Sequence, residues 1–222
     1  MMIYSRKKVK SVKGIDVSKW NVITDFKKVK EAGYDFVIIR AVGSNGSTPY
    51  KDKKFEQFYK GAVNAGLHVG AYAYVKPSYK GDVVAEANKT ALFFLDVIKD
   101  KKFDMPIYID VETWNKKKKQ DNTLYTVSFC GTCESKKYYT GIYGSDVSTF
   151  IDLLDKSFLL PFTWWVARYS TQPPKHATEN CHIWQYTSKG KVPGVSGNVD
   201  LNRCDFPFPD IIKKKGLNNY DR

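Results

Sequence analysis

Short apolar strands alternate with helical stretches along almost the whole chain, and this alternation restricts the fold more than any other feature. Residues 11–17 (SVKGIDV), 36–41 (FVIIRA), 67–75 (LHVGAYAYV), 106–111 (PIYIDV), 138–143, 164–167 and 181–186 read as strands. Residues 26–32, 55–65, 83–98, 123–137 and 145–154 read as helices. In the second of these, Phe55, Phe58, Tyr59, Ala62 and Val63 recur at helical spacing. Gly33 and Gly66 follow the first two helices, Gly33 as the expected C-cap. FVIIRA is a nearly unbroken β-branched run, the pattern of a strand covered on both faces. Strands and helices in this order imply parallel strands joined by helical crossovers. Seven or eight strands suit a closed barrel better than an open sheet. The last third is strand-rich and helix-poor. The expected fold is therefore α/β: an irregular (β/α) TIM-like barrel, one domain, with few or no helices after its final strands.

Composition narrows the function classes. The 222 residues suffice for a large core, and no Gly/Ser linker divides them. Lys and Arg number 36 against 23 Asp and Glu, a formal charge of +13. The basic runs at 6–8, 116–119 and 213–215 are short and scattered, with no recognition helix or RNA-binding aromatic motif, so nucleic acid is not an expected partner. No apolar run reaches the roughly 20 residues of a membrane span. Residues 1–13 are polar and basic and do not read as a signal peptide. Four cysteines are too few for a disulfide scaffold. Cys130 and Cys133 form a single CxxC inside a predicted helix, so both a pair of free thiols and a local disulfide stay open. His68, His176 and His182 have no metal-ligand spacing, and no phosphate-binding glycine pattern is present, so neither a metal nor a nucleotide cofactor is expected.

The chemistry points to carboxylates. Asp110 and Glu112 end the strand PIYIDVE, and residues two apart on a strand share a face. Asp16 ends the first strand, and Asp200 lies in the run GNVDLN near the end of the chain. The carboxyl ends of barrel strands form the active face, so these four acids are expected to converge there. Paired carboxyls are what glycoside hydrolysis needs: one protonated to serve the leaving oxygen, one charged to stabilise the sugar cation. Tyr72, Tyr74, Tyr143, Trp165, Tyr169, Trp184 and Tyr186 are candidate sugar-stacking aromatics, although strands also favour aromatics in their cores.

With these residues in place the chain resembles the family-25 glycoside hydrolases, the Chalaropsis-type lysozymes or muramidases, in their bacterial and phage forms. The resemblance rests on segments in the family's order: GIDVSKW at 14–20, FVIIRA at 36–41, AGLHVGAY at 65–72, PIYIDVE at 106–112, YTGIY at 139–143, WVARY at 165–169, IWQY at 183–186 and VPGVSGNVDLN at 192–202. It implies a catalytic lysozyme domain over residues 12–208, between an N-terminal extension (1–11) and a basic C-terminal tail (209–222) expected to be a frayed end or a linker. It implies retaining cleavage of the β-1,4 bond between N-acetylmuramic acid and N-acetylglucosamine, through the substrate's own acetamido group. Glu112 falls on the family's acid and Asp110 on its partner; Asp16 and Asp200 fall on its supporting aspartates. Gln185 lies within the IWQY match and joins the aromatics as a substrate-binding candidate. Many relatives carry Thr-Glu-Gly after the second strand, where this chain has VGSNG at 42–46 and no acid. The implied partners are bacterial peptidoglycan outside the cell and, through the charge of +13, anionic wall polymers.

Overall fold

The computed structural model describes residues 10–220. Most of the expected extension over 1–11 therefore lies outside the described residues. The strands, in chain order, are β1 (Val12–Val17), β2 (Val22–Ile23), β3 (Phe36–Asn45), β4 (Thr48–Lys51), β5 (His68–Tyr74), β6 (Ile107–Asp110), β7 (Thr140–Ser145), β8 (Thr163–Ala167), β9 (Cys181–Gly190), β10 (Val195–Ser196) and β11 (Val199–Cys204). The α-helices are α1 (Phe26–Glu31), α2 (Phe55–Asn64), α3 (Val83–Ile98), α4 (Lys119–Ser135) and α5 (Phe208–Lys214).

Eight strands close into a barrel in the order β1-β3-β5-β6-β7-β8-β9-β11, and β11 returns to β1. From β1 to β9 every neighbour is parallel. β11 is antiparallel to both of its neighbours. The reason is chain length. A parallel crossover needs about a dozen residues or more. The link at 191–198 is shorter and turns back through Gly194 and Gly197, both with positive φ. The irregular α/β barrel expected from the alternation is the observed fold.

Strand alternation separates two cores. On β3, Phe36 and Ile38 point into the barrel with Tyr108, Tyr143, Trp165 and Ile183. Val37, Ile39 and Ala41 point outward into the layer beneath the helices. Residues 36–43 are buried throughout, as a strand covered on both faces requires. Among the described residues no helix is long and apolar enough to cross a membrane.

Three features differ from the sequence expectation. The segment expected to fray is folded: α5 inserts Phe208 and Ile212 under the barrel beside Phe36 and Met105, so the boundary drawn after residue 208 falls inside a helix. Beyond it, Asn218 and Asn219 adopt the left-handed conformation that Asn tolerates. Asn218 accepts from the Tyr139 amide at 2.7 Å, and Asn219 donates to the Lys99 and Lys101 carbonyls at 2.9 and 2.7 Å. The helix expected over 145–154 is a π-helical turn at Ser148–Leu153. The Thr149 hydroxyl bridges the Ser145 amide and the Val111 carbonyl there, tying the turn to β6 and β7. Strand β4 extends the sheet beside β3 as a hairpin. Of the two readings left open for Cys130 and Cys133, the structure has free thiols: all four cysteines are free, and these two are buried in the core-facing side of α4.

Candidate active site

The parallel strands send their carboxyl ends to one mouth of the barrel. Asp16 reaches it from β1, Tyr72 and Tyr74 from β5, Tyr143 from β7, Trp165 from β8 and Gln185 from β9. Asp110 is the last residue of β6, and Glu112 follows on the same face while Ile109 and Val111 turn into the outer core. Because β11 runs the other way, its beginning lies at this mouth. Asp200 therefore sits directly across from Asp16 in the register of the two strands.

Ten of the twelve residues singled out from sequence line one cavity of about 370 Å³: Asp16, Tyr72, Tyr74, Asp110, Glu112, Tyr143, Trp165, Tyr169, Gln185 and Asp200. Trp184 and Tyr186 do not, because alternation along β9 turns them to the face opposite Gln185. The Trp184 indole instead donates to the Arg168 carbonyl at 2.9 Å.

The cavity floor is a connected set of hydrogen bonds. Asp16 Oδ2 accepts from Gln185 Nε2 and from Asn202 Nδ2, both at 2.8 Å. Asn202 Oδ1 accepts from the Trp165 indole at 2.8 Å. Gln185 Oε1 accepts from the Tyr143 hydroxyl at 2.8 Å and from the Tyr169 hydroxyl at 3.1 Å. The Trp165 ring is buried against Tyr143, with centroids 4.3 Å apart, and against Tyr108 at 5.3 Å. Such a network fixes the orientation of Asp16 and leaves Glu112 half-buried.

Four carboxyls in one partly dry cleft oppose each other's ionisation. Burial, then Asp200, hold Asp16 well above the usual carboxylate range, against the bonds from Asn202 and Gln185. Burial, then Glu112 and Asp16, raise Asp110, while Arg40 works against them. Burial raises Glu112, opposed by the Tyr143 hydroxyl and Lys76. Burial and Glu112 push Asp200 up to about 6. A site of this kind holds a transferable proton beside carboxylates able to face a positive charge. Among the described residues, no group of three or more His, Cys, Asp or Glu side chains is arranged to hold a metal ion.

The model of glycosyl hydrolases family 25 matches residues 15–195, which takes in every barrel strand except β11 and three of the four acids. The chain belongs to this family. Among curated proteins it is similar to the autolytic lysozyme of Clostridium acetobutylicum, 29% identical over 198 residues, covering 86% of this chain and 55% of that protein. The chain thus spans little more than half the length of that curated relative. Among solved structures, the CTP1L endolysin superposes with a TM-score of 0.77 at 26% identity, covering 91% of this chain and 70% of the other. The modular autolysin LytC of Streptococcus pneumoniae, solved with a synthetic peptidoglycan ligand, superposes with a TM-score of 0.70 at 25% identity, covering 87% of this chain and 46% of LytC.

Ser18, Trp20 and Arg40 complete the lining of this family 25 cavity and were not picked out from sequence. The signal for Arg40 was available: a charged residue inside an apolar run buried on both faces needs a partner. That partner is Asp52, which accepts from Arg40 Nε at 2.7 Å with both side chains buried. Trp20 stands in the GIDVSKW match but lies beyond the strand, where alternation says nothing about its direction.

Proposed function

We propose that this family 25 chain is a muramidase. It hydrolyses the β-1,4 bond between N-acetylmuramic acid and N-acetylglucosamine in bacterial peptidoglycan, outside the cell, with retention. Glu112 gives its proton to the glycosidic oxygen as the C–O bond breaks. The substrate's 2-acetamido oxygen closes on the anomeric carbon, and Asp110 stabilises the positive charge that develops on the acetamido nitrogen. Water then opens this ring, returning a proton to Glu112. Asp16, held by Gln185 and Asn202, and Asp200 orient the substrate and raise their neighbours. Tyr72, Tyr74, Tyr143, Trp165 and Tyr169 offer aromatic faces and hydroxyls to the sugars.

The observation that carries this reading is the convergence of four carboxyls, each pushed above its ordinary range, in one aromatic-lined cleft. A carboxyl so placed holds its proton to higher pH than a free one, as a general acid must. The substrate class draws support from the relatives, one named an autolytic lysozyme and another solved with a peptidoglycan ligand. The net charge of +13 suits a protein drawn to anionic wall polymers. The test is Glu112→Gln. Its melting temperature should match the wild type within a few degrees, while its wall lysis falls by about 10²–10⁴, the usual contribution of a general acid. A Glu112→Gln variant that lyses walls at the wild-type rate overturns the assignment.

A further inference from the structure

Beside the four acids, one edge of the cleft carries a cation set between aromatic rings. Trp20 lines the cavity, yet 77% of it is exposed, so its ring is presented to whatever enters. The adjacent Lys19 ammonium lies 4.9 Å from the Trp20 ring centroid and 4.7 Å from that of Tyr50. It also donates to the Tyr50 hydroxyl at 2.9 Å. Among the described residues no carboxylate lies within salt-bridge distance of it. Asp52, the nearest acid tied to this loop, accepts from Arg40 and from the Lys19 and Lys54 amides. The stretch 42–46 of the neighbouring hairpin carries no acid.

The platform is held in place before any ligand arrives. Ser18 N donates to Asn21 Oδ1 at 2.9 Å, and Lys54 Nζ to the Asn21 carbonyl at 2.6 Å, closing the loop that carries Lys19 and Trp20. Gly43 pairs with Tyr50 across the hairpin, and a side-chain carbon there would meet the Tyr50 ring at 2.7 Å. Glycine thus makes room for the ring that positions the ammonium.

Resting on the muramidase reading, the geometry points to Lys19, Trp20 and Tyr50 as a subsite for an acid-bearing amino sugar. The sugar's C–H face packs on Trp20, and a carboxylate carried by the muramyl side chain meets the Lys19 ammonium. Cleavage after a muramyl ring seats one such ring over Glu112 and Asp110, and the alternation of the glycan then sets a neutral ring beside it and the next muramyl ring two rings out, at the rim where Lys19 offers a cation. Two sources offer this carboxylate: a free lactyl group on glycan without peptides, and the stem peptide where one is attached.

Calorimetric titration in a Glu112→Gln background tests this with three probes. These are a muramyl-containing tetrasaccharide without peptides, the same with stem peptides, and a neutral N-acetylglucosamine tetrasaccharide. Lys19→Gln should weaken one or both muramyl probes about three- to fivefold and the neutral probe less than twofold, the difference disappearing at high salt. Lys19→Arg should restore it. Trp20→Ala should weaken all three by about tenfold through lost stacking. Loss confined to the peptide-free probe identifies the lactyl carboxylate, and loss confined to the peptide-bearing one identifies the stem. Equal loss on charged and neutral probes, or none on any, overturns the subsite. Release of reducing ends by the chain with Glu112 intact reports separately on the muramidase reading, and the binding arms stand whichever way it falls.

Discussion

Replacing Asp200 by Asn should stabilise the protein, and should do so only above the acid range. The native carboxyl sits at about 6 against an ordinary 3.8, through burial and the nearby Glu112. A folded-state value raised above the unfolded one means that the fold binds the proton more tightly. Below about pH 4 both states hold the proton and the side chain is neutral in its effect on stability. Between about 4 and 6 the unfolded chain ionises first, so stability falls as pH rises. Above about 6 both states are ionised and the loss is complete. Two pH units at about 1.4 kcal/mol each give about 3 kcal/mol, which solvent at this half-buried position trims to about 2 kcal/mol. Relief of Asp16, which Asp200 also pushes up, adds in the same direction. Urea unfolding of both proteins from pH 4 to pH 7.5 reads the difference. The Asn variant should be nearly equal to wild type near pH 4 and about 2 kcal/mol more stable at pH 7, a rise of about 4–8 °C in melting temperature. A gap that stays constant over this range, or an Asn variant that is weaker at pH 7, refutes the electrostatic reasoning.

Two further outcomes are expected. Gln185→Leu removes the donor to Asp16 and the acceptor for Tyr143 and Tyr169, two of whose groups are buried; thermal denaturation should show a loss of about 2–4 kcal/mol, and a loss under 1 kcal/mol would mean that the floor network is dispensable. Co-sedimentation with purified walls should weaken steadily as salt is raised from about 50 to 500 mM, because the attraction of a +13 protein is screened over about 10 Å at 0.1 M; salt-independent sedimentation would set the charge argument aside.

The barrel was legible because its determinants are local. Each two-faced strand and each amphipathic helix announces itself in a window of a few residues, and α3 occupies the very span, Val83–Ile98, that its spacing predicts. The acids were legible because Asp16, Asp110 and Glu112 stand at strand ends. β11 escaped for the opposite reason. Its inward residues Asp200 and Asn202 serve the cavity, which breaks the apolar pattern that marks a strand. α5 escaped because its lysines dominate the composition while only Phe208 and Ile212, four apart, carry its packing. Long-range pairing also lay out of reach: the partner of Arg40 is twelve residues away on the far side of a hairpin, and the cation beneath Trp20 is set by Tyr50. Where local reading failed, the residues concerned mostly face the cleft or close the barrel beneath it, as expected where function or closure overrides local preference.

Which glycosidic bond the protein cuts is read from the identity of the new sugar end. Purified peptidoglycan digested by the protein, reduced with borohydride and hydrolysed should yield muramitol as the reduced sugar. Glucosaminitol in its place, or no reduced sugar above background, would contradict the account.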